Sequence, residues 1–172
     1  MWGSYSLAQC LAFLHSWKKT SLYRRYLTSS KILLDSEFNA RVSYFGLKNL
    51  PSDDESSYVS SYYAEPARFH HTPPEFIISG KLDMPGDVYS FGVILLEMLT
   101  GFGKRRIILA KRAIRNNTEN IAEMIDPDLE NSYPHEERMR MCEIIKQRLE
   151  EIPKNRPSMQ RVLDNLTGIA RI

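Results

Sequence analysis

The side chains able to do chemistry fall into four groups along the 172 residues. His70 and His71 are imidazole donors of the kind that hold zinc, but adjacent histidines without a nearby cysteine or a spaced third ligand read as a loop pair, so a metal role is set aside. Gly101-Phe-Gly103 begins like a phosphate-binding glycine loop; it lacks the third glycine and closes a helix, so it reads as a helix terminator. Lys104, Arg105, Arg106, Lys111, Arg112 and Arg115 make a basic segment without acids. It is read as a solvated helix face in preference to a surface for phosphate or anionic lipid. Residues 52–63 set serines and tyrosines beside Asp53, Asp54 and Glu55, a pattern that fits a phosphoryl acceptor and a plain polar loop equally well.

Composition narrows the classes that could use these groups. Lysine and arginine number 23 against 21 aspartates and glutamates, a balance that gives no reason to expect nucleic acid or an anionic membrane as partner. At 42% hydrophobic residues the chain can bury one substantial core, and one domain spanning 1–172 is expected. Cys10 and Cys142 both sit in apolar helical patterns, where a thiol acts as a small hydrophobe, which fits a reducing, cytoplasmic setting. The apolar stretch Phe91–Leu99 is interrupted by Gly92 and Glu97 and falls short of the roughly 20 residues that a spanning helix needs, so no membrane insertion is expected. No basic residue precedes the apolar run of residues 1–14, so no signal peptide is expected and the sequons at Asn116 and Asn165 should go unused.

The elements that must position these groups follow from periodicity. Leu7, Cys10, Leu11 and Leu14 recur at helical spacing, with Ala8 and Phe13 widening the apolar face until the helix should be largely buried. Ile32–Leu34 and Ala40–Ser43 read as two strands of a small hairpin joined by a polar turn at 35–39. Residues 46–74 have no sustained period and read as a long surface loop. Asp83 as N-cap, Pro85 in the first turn and Gly101 as terminator enclose Val88, Phe91, Ile94, Leu95 and Leu99, which should form the central helix. Pro134, Glu136 and Glu137 start another helix, carrying Met141, Ile144, Ile145 and Leu149 inward. Pro157 starts the last, with Met159, Val162, Leu163, Leu166 and Ile169 on one face.

Six segments in order carry a family likeness: Leu11-Ala-Phe-Leu-His15, Ile32-Leu-Leu-Asp35, Phe45-Gly-Leu47, Pro74-Glu75, Asp87-Val-Tyr-Ser-Phe-Gly92 and Asn155-Arg-Pro-Ser-Met159. In order and spacing the chain resembles the plant receptor-like and receptor-like cytoplasmic serine/threonine kinases, from the first large helix of their C-terminal lobe to the last. The resemblance implies a mainly α, kinase-like C-terminal lobe with a small β-hairpin and no N-terminal lobe, and an activation-segment-like loop at about 44–75. It also implies that Glu75 pairs with Arg156 beneath that segment and that Asp87 braces the catalytic-loop backbone, all three being structural residues.

Phosphoryl transfer needs a glycine-rich loop over the phosphates, a lysine on them, metal ligands and an aspartate that takes the hydroxyl proton. No G-x-G-x-x-G followed by a strand lysine occurs in the chain. Anchored on Ile32-Leu-Leu-Asp35, the family's catalytic loop falls on Arg24-Arg-Tyr-Leu-Thr-Ser-Ser-Lys31. Tyr26 then replaces the base, and a phenol with a pKa of about 10 is a poor proton acceptor near neutrality. Thr28 replaces the phosphate-steadying lysine, and Lys31 puts a cation where an asparagine would ligate magnesium. Tyr44 replaces the aspartate of the D-F-G motif. Asp35, Asp53, Asp54 and Glu55 are not expected to substitute for these losses. In the substrate-receiving segment, Arg68 and His70 stand where the family has a threonine and a glycine.

The expected function is therefore a catalytically inactive, kinase-like interaction module in kinase signalling, with no catalytic or metal-ligating residue and no cofactor, although the family uses ATP and magnesium. Its partner would be a protein such as another kinase or a receptor complex, with the plasma membrane reached only through partners. The alternatives are serine/threonine kinase activity with the missing lobe supplied from elsewhere, and a truncated gene product without a selected function.

Overall fold

The computed structural model describes residues 2–16, 27–37, 39–42, 70–79, 83–103 and 105–170. Seven α-helices and two strands are set out among them: α1 (Trp2–Ser16), β1 (Ile32–Leu34), β2 (Ala40–Val42), α2 (Pro74–Ser79), α3 (Met84–Thr100), α4 (Arg106–Asn116), α5 (Pro127–Ser132), α6 (His135–Arg148) and α7 (Met159–Ala170). Short 3-10 turns cover Ser29–Lys31, Thr118–Met124 and Pro153–Asn155.

The central helix α3 has the ends its sequence specifies. Asp83 is extended and its Oδ1 accepts from the Gly86 amide at 3.0 Å, while Pro85 occupies the first turn, where its missing N–H costs nothing. Gly101 ends the helix at φ 64°, donating its N–H to the Glu97 carbonyl at 2.9 Å. Between those caps nearly every side chain is buried, because α3 packs against α4 on one side and α6 on another. α7, with Met159, Val162 and Leu166 buried, packs on α1, whose Leu7, Ala8, Leu11 and Ala12 are buried.

The hairpin is antiparallel in the register Ile32 to Val42, Leu33 to Arg41 and Leu34 to Ala40. Its turn is organised by Asp35, whose Oδ1 accepts from the amides of Glu37 at 3.0 Å and Asn39 at 2.9 Å.

Three expectations need correction. Phe13 is 59% exposed, so α1 buries a narrower stripe than its apolar content suggests. The C-terminal end of the supposed surface loop is not on the surface: His71, Thr72 and Pro73 are buried, because hydrogen bonds tie the segment down onto α3 and α4, as described below. The last helix begins at Met159, two residues beyond Pro157. The rest of the stretch expected to form that loop, through residue 69, lies outside the described residues.

Candidate functional site

Glu75 in the first turn of α2 and Arg156, just after the 3-10 turn 153–155, are 81 residues apart and meet in a two-pronged contact. Arg156 Nη1 donates to Glu75 Oε1 at 2.6 Å and Nη2 to Oε2 at 2.8 Å. The remaining guanidinium N–H groups are taken by backbone carbonyls, Nε by Glu150 at 2.8 Å, Nη1 by Pro85 at 3.0 Å and Nη2 by Glu151 at 3.3 Å. All five donors of a fixed planar fork are thus satisfied, in a side chain with 0% exposure. The pair joins α2, the start of α3 and the segment before α7.

Asp87, in the first turn of α3, is buried and its Oδ2 lies 3.0 Å from His15 Nε2 at the end of α1. Burial pushes the Asp87 carboxyl above its ordinary value, an effect that the hydrogen bond and charge of His15 oppose. Of the catalytic-loop stretch 24–31 whose backbone Asp87 was expected to brace, residues 24–26 lie outside the described residues. His15, quoted above only as part of a motif, is its partner on α1.

Thr28 and Lys31 flank the turn that leads into β1. Thr28 is buried, its Oγ1 is 2.9 Å from Ser30 Oγ, and its carbonyl accepts from the Lys31 amide at 3.0 Å. Lys31 is half-buried at the end of the turn, directly before Ile32. Tyr26 and Tyr44 lie outside the described residues. Asp35 is committed to its own hairpin: the Asn39 amide first, then the Glu37 amide, Asn39 Nδ2 and Arg41 hold its carboxyl below the usual range. No group of three or more histidines, cysteines or acids able to hold a metal occurs among the described residues.

A second cluster had no forecast from spacing. His71 Nε2 lies 3.1 Å from Glu97 Oε2, and the His71 carbonyl accepts from Ser90 Oγ at 2.8 Å. The His70 carbonyl accepts from Lys111 Nζ at 2.9 Å. Lys111 Nζ also sits 4.9 Å from the Tyr89 ring centroid, and Arg156 Cζ is at the same distance from that ring. Burial, then the charge of Arg115, lowers the Lys111 ammonium to about 8. Arg115 pairs with Glu151 at 2.8 Å and donates to the Leu149 carbonyl. The basic segment is therefore only partly a solvated face: Arg105, Arg106 and Arg112 are exposed, whereas Lys111 and Arg115 are built into the surrounding structure.

Comparison with known proteins settles the family. The model of the protein tyrosine and serine/threonine kinase family matches residues 2–166. The chain belongs to this kinase family. Serine/threonine-protein kinase SZE1 of Arabidopsis thaliana is 63% identical over 98% of the chain and 54% of its own length. Inactive serine/threonine-protein kinase BKN2 of the same plant is 40% identical over 96% of the chain and 50% of its length. The solved pseudokinase domain of BIR2, an immune regulator of the RLK/Pelle family, superposes with a TM-score of 0.80 at 28% identity, covering 98% of this chain and 51% of that one. The mainly helical kinase fold with its two-stranded sheet thus holds across the chain, which spans about half the length of the curated relatives it matches. Among the described residues no helix is long and apolar enough to cross a membrane.

Proposed function

We propose that the chain is a catalytically inactive interaction module built on the C-terminal lobe of the kinase fold. The observation that carries this reading is Lys31. It closes the turn before β1, at the position where the family's catalytic loop places a metal-ligating asparagine, and an ammonium there opposes magnesium besides lacking an oxygen ligand. Thr28 in the same turn, and Tyr26 and Tyr44 by sequence, extend the loss to the phosphate-steadying cation, the base and the second metal ligand. Asp35, the acid nearest in sequence to that turn, is held by its hairpin. What remains is the scaffold, the Glu75–Arg156 clasp and the Asp87–His15 contact, which serve binding as well as they serve catalysis. The partner is a protein, such as another kinase or a receptor complex, in keeping with relatives named as an inactive kinase and as an immune regulator.

A second reading, serine/threonine phosphotransfer, is favoured by the relative at 63% identity that bears the name of a serine/threonine kinase. It requires the glycine loop and the strand lysine to come from outside these 172 residues. A thermal melt of the chain with ATP and magnesium tests the inactive reading. We expect no change in melting temperature, because a ligand stabilises a fold only through its affinity for the native state. A saturable, magnesium-dependent rise at millimolar ATP would sink the inactive reading.

A further inference from the structure

An open groove of about 510 Å³ runs between α2, α4 and Tyr89 of α3, a size suited to a ligand side chain or short segment. Among the described residues its lining cations are Lys111, Arg112 and Arg115 and its lining acid is Glu151, a surplus of two positive charges. Arg112 is exposed and has no ion-pair partner among the described residues, and Lys111 spends one of its three donors on the His70 carbonyl. The walls are apolar and open: Ile77 of α2 is 54% exposed and Ile108 of α4 is 57% exposed.

We propose that this groove docks a phosphorylated peptide segment of a partner protein, the phosphoryl group meeting Lys111 and Arg112 while apolar neighbours lie against Ile77 and Ile108. This rests on the interaction-module reading and gives its partner a chemistry. A phosphoserine carries about −1.5 to −2 charges near neutrality, which matches the surplus of the lining, whereas one carboxylate would leave part of it uncompensated. Arginine and lysine together supply the fork and the point charge that such groups favour. The concave shape decides against a bilayer, since Lys111 lies half-buried between helices where a flat headgroup layer does not reach. The cost that burial and Arg115 impose on the Lys111 charge is relieved once an anion enters, so the groove is electrostatically primed for one.

The test uses the whole chain and a pool of phosphoserine peptides with randomised flanks, beside the same pool unphosphorylated and vesicles with and without phosphatidylserine. We expect selective, saturable capture of the phosphorylated pool, with apolar residues enriched next to the phosphoserine. The variant carrying Lys111→Met and Arg112→Glu should bind at least about tenfold more weakly, a loss of about 1.4 kcal/mol, and Arg112→Glu alone, at an exposed side chain, should weaken binding with its melting temperature unchanged. Equal capture of both pools, capture that survives the double substitution, or binding confined to the anionic vesicles would each overturn the proposal. Because ATP plays no part in these arms, the inactive reading can fail in its own melt while the groove still binds, and the groove can fail while that melt shows no shift.

Discussion

Glu75 and Arg156 illustrate how little a pair of charges says until burial is known. In sequence they are two residues of opposite sign; in the fold the guanidinium is wholly enclosed and has an acceptor for every N–H. An intact pair of this kind is worth little beyond specificity, because desolvating two ions offsets their attraction, but removal of one partner strands the other. Glu75→Ala leaves a buried cation facing carbonyl dipoles and the Tyr89 ring but no carboxylate. Arg156→Ala leaves three carbonyls and a carboxylate without their donor. Each should cost about 3 to 5 kcal/mol, and the double variant should cost clearly less than the sum. Urea unfolding of the four proteins measures this; small additive losses would mean that the clasp does not hold α2 to the rest.

At the scale of elements, the close approach of α3 and α6 depends on Gly92. A Cβ built there would lie 2.7 Å from Cβ of Arg148 and 3.3 Å from Cδ2 of Leu149, both on or capping α6. Cβ of Arg148 is fixed to the α6 backbone and cannot swing away, so the helices must part. Gly92→Ala should lower stability by about 1 to 3 kcal/mol, even though alanine is favoured over glycine inside a helix by about 1 kcal/mol. Gly103→Ala is the control, since nothing among the described residues lies within 4 Å of its Cβ position, and it should leave the urea midpoint in place. A midpoint for Gly92→Ala equal to that control would show that α3 and α6 are loosely packed. Such contacts also mark where reading the sequence stops. The span of α3 was legible, because Asp83, Pro85 and Gly101 act locally through a cap, a fixed φ and a left-handed turn. The hairpin and α6 were legible for similar reasons, strand periodicity and acids in the first turn. The short helix α2, the exposure of Phe13, the partnership of His15 with Asp87 and the burial of Lys111 were not legible from spacing, because they depend on which faces meet across many residues of chain. Glu75 with Arg156 was anticipated through family likeness, since no local pattern links residues 81 positions apart.

If the chain is inactive as proposed, the question for the whole molecule is whether the loss is local or has spread into the scaffold. The described core is continuous from α1 to α7 through α3, and Thr28 and Lys31 lie at a turn ahead of the hairpin, between Leu27 of that core and Ile32 packed against it. If the loss is local, restoring Tyr26→Asp, Thr28→Lys, Lys31→Asn and Tyr44→Asp rebuilds a base, a phosphate cation and metal ligands without disturbing the packing. Those groups alone should still give no detectable phosphotransfer in the 172-residue chain, because catalysis of this reaction is mostly positioning and charge neutralisation, and the loop and lysine that hold ATP are not encoded in it. Fusing a kinase N-terminal lobe ahead of Met1 in the restored chain should then give transfer from ATP to a generic protein substrate. The same fusion on the unrestored chain should stay silent, with radiolabelled ATP and a heat-treated control as the measure. Activity of the unrestored fusion would show that Tyr26, Thr28, Lys31 and Tyr44 permit catalysis after all. A silent restored fusion that melts cooperatively would place the defect in the segment that receives substrate, where Arg68 and His70 depart from the family pattern.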